Sequence, residues 1–233
     1  MVERVVTGIR GLDAMLRGGL PKGSMTAVIG PPGSGKTSLG LQFIMTAALL
    51  EKPAAYILTI TPETLRTIAE GFGWETRLLE KVEILDLFSK DLGFPSVSKY
   101  SASIFQLTDI SIAISNLLKN SANTQNMRLV IDSMSDIITA HRDEASLSTF
   151  LRTVKSKLFS SGVTSMLLIE EGVHDAKLIS LVESICDGTI NLKQADNERL
   201  LTVRRMLATP SIGGWRRFTI STGVEIIADS FFF

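Results

Sequence analysis

The eight residues Gly30-Pro31-Pro32-Gly33-Ser34-Gly35-Lys36-Thr37 constrain this chain more than any other stretch. Three glycines and two prolines in eight positions rule out a regular helix or strand through them. An apolar, β-rich run (25–30) leads into them and a run of helical spacing (37–52) leads away. The order strand, tight loop, helix follows, and the loop fits G-x-x-x-x-G-K-[ST]. Such a loop turns backbone N–H groups inward at the positive end of a helix, which suits the dense negative charge of a triphosphate. Gly30, Gly33 and Gly35 supply backbone shapes that side chains would obstruct, and Pro31, Pro32, Ser34 and Ser38 complete the candidate site. Lys36 is placed to reach the terminal phosphates, and Thr37 to put a hydroxyl on Mg²⁺.

The rest of the chain shows how large a fold surrounds that loop. There are 233 residues, 45% of them apolar and 21% charged, enough for one domain (1–233) with a full core and unlike a disordered composition. Lys plus Arg and Asp plus Glu both number 24, so no net charge draws the chain to nucleic acid or anionic lipid. The lone cysteine, Cys186, excludes an internal disulfide and is expected to be a buried, inert thiol in a reducing cytoplasm. The opening "MVERVVTGIRGLD" is too charged for a secretory leader, and no apolar run approaches the roughly 20 residues of a membrane helix. The ending Phe231–Phe233 fits a packed terminus, a subunit contact or a sticky end.

Short β-rich runs alternate with helical ones along most of the chain. Strands are predicted at 25–30, 54–60, 82–87, 128–132 and 164–171, and helices at 37–52, 61–74, 103–120 and 144–162. In the second helix Thr61 is expected as N-cap, Pro62 in the first turn and Gly71 as terminator. From about Asp187 the pattern changes to successive strands. The reading is an α/β fold: a mainly parallel sheet with helices on both faces and an antiparallel C-terminal extension.

Asp132 ends the apolar run 128–132. An acid at the tip of an apolar strand is costly to desolvate unless it faces water or a cation, so Asp132 reads as the metal-side carboxylate. Ser133 and Ser135 are placed to hydrogen-bond nearby, while Asp136 and Asp143 read as surface acids.

With both motifs placed, the chain resembles the KaiC-like branch of the RecA superfamily. "TGIRGLDAMLRGGLPKGS", "GPPGSGKTSLGLQFI", "FGW" at 72–74, "LVIDS" and, more weakly, "VRRMLATP" carry the likeness over nearly the whole chain. The resemblance implies a RecA-like ATPase that assembles as a ring, typically a hexamer, with ATP and Mg²⁺ between neighbouring subunits. Two departures stand out. That family usually carries two glutamates, which activate the attacking water, directly before Ser/Thr-Pro; here Thr59 and Ile60 occupy those positions. It also often carries Lys-Met-Arg near the C-terminus, reaching the neighbour's phosphates; here the run is Arg205-Met206-Leu207. Arg205 is the expected substitute for the lysine, and strand alternation would turn Arg204 to the other face.

Neither Thr59 nor Ile60 can accept a proton from water as a carboxylate does. The expectation is therefore ATP binding with slow hydrolysis, controlling homo-oligomer assembly or signalling. Glu170 and Glu171, at the end of another strand, are the candidate catalytic substitutes. Arg204, Arg205, Arg216 and Arg217 with Trp215 leave a single-stranded-DNA-dependent ATPase as the alternative reading. A scaffold that holds ATP without turnover is a third. His141 and His174 are too few for a metal site and read as surface or capping residues, and no membrane insertion is expected.

Overall fold

The computed structural model describes residues 2–195, 198–210 and 213–227, so Phe231–Phe233 lie outside the described residues. A small antiparallel pair opens the chain, β1 (Arg4–Val5) with β2 (Leu20–Pro21), around the short α1 (Leu12–Met15). The loop-bearing unit follows as β3 (Met25–Gly30) and α2 (Lys36–Leu49). Next come β4 (Ala54–Leu58), α3 (Pro62–Gly71), β5 (Val82–Asp86), β6 (Tyr100–Ser101), α4 (Leu107–Asn120) and β7 (Arg128–Asp132). Then α5 (Met134–Ala140), α6 (Glu144–Ser160), β8 (Thr164–Glu170) and α7 (Ala176–Ile185) complete the alternating part. Four strands close the described chain: β9 (Gly188–Ala195), β10 (Glu198–Met206), β11 (Arg216–Ile220) and β12 (Val224–Ile226).

Ten strands form one sheet in the order β12-β11-β10-β9-β3-β8-β7-β4-β5-β6. From β9 to β6 all neighbours are parallel, and from β9 to β12 all are antiparallel. β9 is the strand at which the sheet changes sense. Parallel strands with helices on both faces bury both sets of side chains, which is why the central runs are apolar rather than alternating. Val28, Val130, Met166 and Leu168 enter the core on the α2 and α3 side. Ala27, Ile29, Leu129, Ile131, Leu167 and Ile169 enter the other, beneath α4 to α7.

Local chemistry accounts for the element ends. Thr61 caps α3 by accepting the Thr64 N–H, with Pro62 in the first turn as expected. The expected terminator is displaced: Gly71 is the last helical residue, and Gly73, at φ +68°, is the glycine that takes the left-handed backbone. Besides the four-residue α1, two helices escaped the periodicity reading. α5 is only seven residues long, and α7 follows a short loop in which Asp175 accepts the Lys177 N–H. Ser133-x-x-Asp136 is a capping signature that marks the start of the first. Cys186 is 3% exposed, and burial pushes its thiol up to about 12, the inert state expected of it.

Beneath α2 lies a buried cation. Arg128, at the start of β7, is 2% exposed, donates to the Phe43 carbonyl oxygen at 2.9 Å and stands over the Phe43 ring. Burial brings its guanidinium down to about 10, against the pull of Asp13.

Candidate nucleotide site

The loop leaves the sheet at its centre, between β9 and β8, and delivers Lys36 as the first residue of α2. Gly35 is the N-cap, at φ +96°, and a Cβ there would stand 2.6 Å from Ile220 Cδ1. Only glycine meets both demands. Lys36 Nζ donates to the carbonyl oxygens of Gly30 at 2.7 Å and Pro31 at 2.8 Å. Burial lowers its amine from the ordinary value, while the charges of Glu170, Asp132 and Glu171 oppose that shift. Ser34 Oγ is fully buried with no partner among the described residues. A cavity of about 310 Å³ opens over the loop and the first turn of α2, walled further by Phe72, Arg199 and Ile220. Arg199 Nε donates to the Gly33 carbonyl oxygen at 3.3 Å. These three side chains come from α3's C-cap and the antiparallel extension, too far apart in the chain for a local motif to reveal them.

Asp132 stands at the tip of β7, 8% exposed, and its Oδ2 accepts the Tyr56 hydroxyl at 2.9 Å. Burial raises its carboxyl group above the ordinary value; hydrogen bonding from Thr37 and Tyr56 and the charge of Lys36 pull the other way. The side chain that caps the next segment is Ser133, which accepts the Asp136 N–H at 3.1 Å, leaving Asp132 to face Thr37 and Lys36. One hydroxyl and one carboxylate are hard oxygen donors of the kind Mg²⁺ takes when phosphates and water fill its other positions. No cluster of three or more His, Cys, Asp or Glu suited to a metal occurs among the described residues, so a dedicated protein cage is not offered. An orphaned buried hydroxyl, an amine held only by carbonyls and an inward loop together fit a Mg²⁺-bound polyphosphate.

Across β7, the tip of β4 holds no acid. Ile60 packs against the core on the α2 side. Thr59 is pinned to the neighbouring strand tip: its N–H donates to the Asp132 carbonyl oxygen at 2.9 Å, and its Oγ1 accepts the Ser133 N–H at 3.0 Å. The hydroxyl in turn donates to the carboxylate of Asp136. Asp136 is exposed, as a surface acid should be, yet it lies inside the site.

Glu170 ends β8, between the loop strand and β7, and Glu171 follows it directly. Their backbone N–H groups are bound, that of Glu170 to Ser135 Oγ at 2.7 Å and that of Glu171 to the Gly30 carbonyl oxygen at 3.0 Å. Both carboxylates act on Lys36. His174, expected as a surface or capping residue, also comes to the site's border. Its Nε2 is buried without a partner among the described residues, and burial lowers its imidazole against the charges of Glu170 and Asp136.

Arg205 lies at the far end of β10 from Arg199, paired with Thr189 near the base of β9. Its guanidinium donates to the carbonyl oxygens of Cys186, at 2.7 Å, and Glu183, at the C-terminal end of α7. The expected alternation fails here. A register shift between Val203 and Arg205 brings Arg204 to the same helix, where it pairs with the Glu183 carboxylate at 3.0 Å. Arg217 pairs with Glu198 at 2.9 Å, and Lys193 Nζ covers the Trp215 ring at 4.3 Å.

The sequence pattern and the fold are shared with known proteins. The family model described as "ATPase: KaiC" matches residues 5–229. The chain belongs to the KaiC ATPase family. A UPF0273 protein of Methanopyrus kandleri is 31% identical over 219 residues, covering 89% of this chain and 85% of that one. The circadian clock protein KaiC3 of Synechocystis is 26% identical over 211 residues; the match covers 87% of this chain but 40% of that protein. Among solved structures, a KaiC-like protein of Pyrococcus horikoshii superposes with a TM-score of 0.79 at 28% identity, over 97% of this chain and all of that one. The fold is thus RecA-like, and the chain is a nucleotide-binding member of the KaiC family. No helix among the described residues is long and apolar enough to cross a membrane.

Proposed function

We propose that this KaiC-family chain binds Mg²⁺-ATP on the 30–38 loop, hydrolyses it slowly, and uses it between subunits to control assembly of a cytoplasmic homo-oligomeric ring, a hexamer in the simplest case. The observation that carries the reading is the contrast within the site. Asp132 faces Thr37 and feels the charge of Lys36, while the β4 tip presents Thr59 and Ile60. Positioning and phosphate electrostatics survive such a loss. General-base assistance is worth ~10²–10⁴-fold, so without a carboxylate on the strand tip itself hydrolysis depends on a substitute acid and is slow.

In this mechanism the loop N–H groups and Lys36 neutralise the phosphates, and Lys36 exchanges its two carbonyl partners for phosphate oxygens. Bound Mg²⁺ would be held by Thr37 and Asp132 and would supply charge neutralisation at the terminal phosphates. Arg205 is directed away from its own subunit's loop, and reaching the nucleotide of a neighbouring subunit would require it to exchange its Glu183 and Cys186 carbonyl partners for phosphate. A nucleotide that binds the assembled state better necessarily favours assembly. The single-stranded-DNA reading is not favoured, because Arg204 and Arg217 are already paired with Glu183 and Glu198.

The test pairs Mg²⁺-ATP affinity by calorimetry with single-turnover hydrolysis, on wild type and Lys36→Ala. Wild type is expected to bind and to hydrolyse slowly. Loss of a charged hydrogen-bonding group costs about 1.5–3 kcal/mol, so the variant should bind at least ~10-fold more weakly. Turnover near the ~10 s⁻¹ typical of enzymes would sink the slow-hydrolysis reading.

A further inference from the structure

The β4 tip has lost its own acid, but the fold brings another to it. Asp136 sits in the first turn of α5, four residues past Asp132. Its Oδ2 accepts hydrogen bonds from Thr59 Oγ1 and from Ser133 Oγ, the latter at 3.0 Å. No described group donates to Oδ1, and the residue is exposed, so one carboxylate oxygen remains open to water. Thr59 itself is bonded to both sides of the Asp132–Ser133 peptide. Asp136 is therefore held, through one hydroxyl, against the β4 tip beside the Asp132–Ser133 peptide.

We propose that Asp136 is the general base of this site, accepting a proton from the water that attacks the terminal phosphate. The inference rests on the Mg²⁺-ATP reading above. In the step, the water oxygen bonds to the γ-phosphorus and the bond to the β,γ-bridging oxygen breaks, its electron pair leaving with ADP. The water's proton passes to the Asp136 carboxylate and then to solvent, and the products are ADP and inorganic phosphate. Asp136 suits this role better than the acids ending β8. Glu170 and Glu171 face Lys36 from beside the loop strand, whereas Asp136 stands between β7 and β4, on the far side of Asp132 in the strand order. The spare acid comes from a helix start that the sequence pattern hides, seventy-seven residues from Thr59 in the chain.

Asp136→Asn keeps the shape and the cap while removing the base. The expected result is Mg²⁺-ATP affinity within about 3-fold of wild type and a single-turnover rate lower by ~10²-fold or more. Adding Thr59→Glu to that variant supplies a carboxylate from the strand tip and is expected to recover the rate. A wild-type rate in Asp136→Asn overturns the proposal. So does a double variant no faster than Asp136→Asn, because the defect then lies in the shape of the strand tip. If wild type binds Mg²⁺-ATP but never hydrolyses it, this inference fails while the binding reading stands. If wild type does not bind Mg²⁺-ATP at all, the underlying reading falls first.

Discussion

Two adjacent strand tips, β7 and β4, are in register, Leu58 opposite Asp132, yet they carry opposite chemistries. The β7 tip keeps a carboxylate at the cost of burying it, with Tyr56 and Thr37 arranged to support it. The β4 tip carries a threonine that belongs to a hydrogen-bond network and an isoleucine that belongs to the core. On the proposed reading, holding a polyphosphate rests on the β7 tip, while the acid that would act beside the β4 tip comes from α5.

The sharpest way to probe the contrast is to return an acid to the poorer tip. In the Asp136→Asn background, where the proposed base is absent, Thr59→Glu is expected to raise single-turnover hydrolysis on the order of 10²-fold, the lower end of general-base assistance, with Mg²⁺-ATP affinity unchanged. A change in affinity instead of rate would break the division between the tips. Arg199→Ala tests the other side. Removing its side chain from the cavity wall is expected to weaken ATP binding about 10-fold, the scale of one hydrogen bond to a charged group, and to leave the single-turnover rate of bound ATP as it was. The smallest effect is on stability. Burial raises the folded carboxyl group of Asp132 above its unfolded value, so the apo fold favours the protonated form and loses stability as pH rises through that range. Asp132→Asn should therefore raise the apo melting midpoint at neutral pH by about 2–4 °C, as expected for ~1 kcal/mol in a chain of this size. The same variant should remove the Mg²⁺ dependence of ATP affinity, and a lowered midpoint would contradict the burial argument.

The phosphate loop, its strand and helix, and Asp132 were legible in the sequence because each depends on residues within a few positions of one another. The change of sense at β9 was legible too, from the end of the helical spacing near Asp187. What escaped was either short or long-range. α5 has too few residues for a helical period to show, so Asp136 read as a surface acid, which it is, without its neighbour Thr59 being visible. Phe72, Arg199 and Ile220 meet over the loop only because β10 and β11 fold back beside β9. Arg204 was assigned to the wrong face because a single extra residue in a strand resets the alternation on which that assignment relied.

The buried arginine beneath α2 has a mechanical consequence. β7 grips the loop helix at two levels: Arg128 holds the Phe43 carbonyl from the strand's first residue, and Asp132 meets Thr37 from its last. A rod pinned at two points along its length can neither slide nor swivel against the bar that pins it. The loop helix and β7 are therefore coupled as one frame, and on the proposed reading a displacement set going by ATP would be taken up outside it.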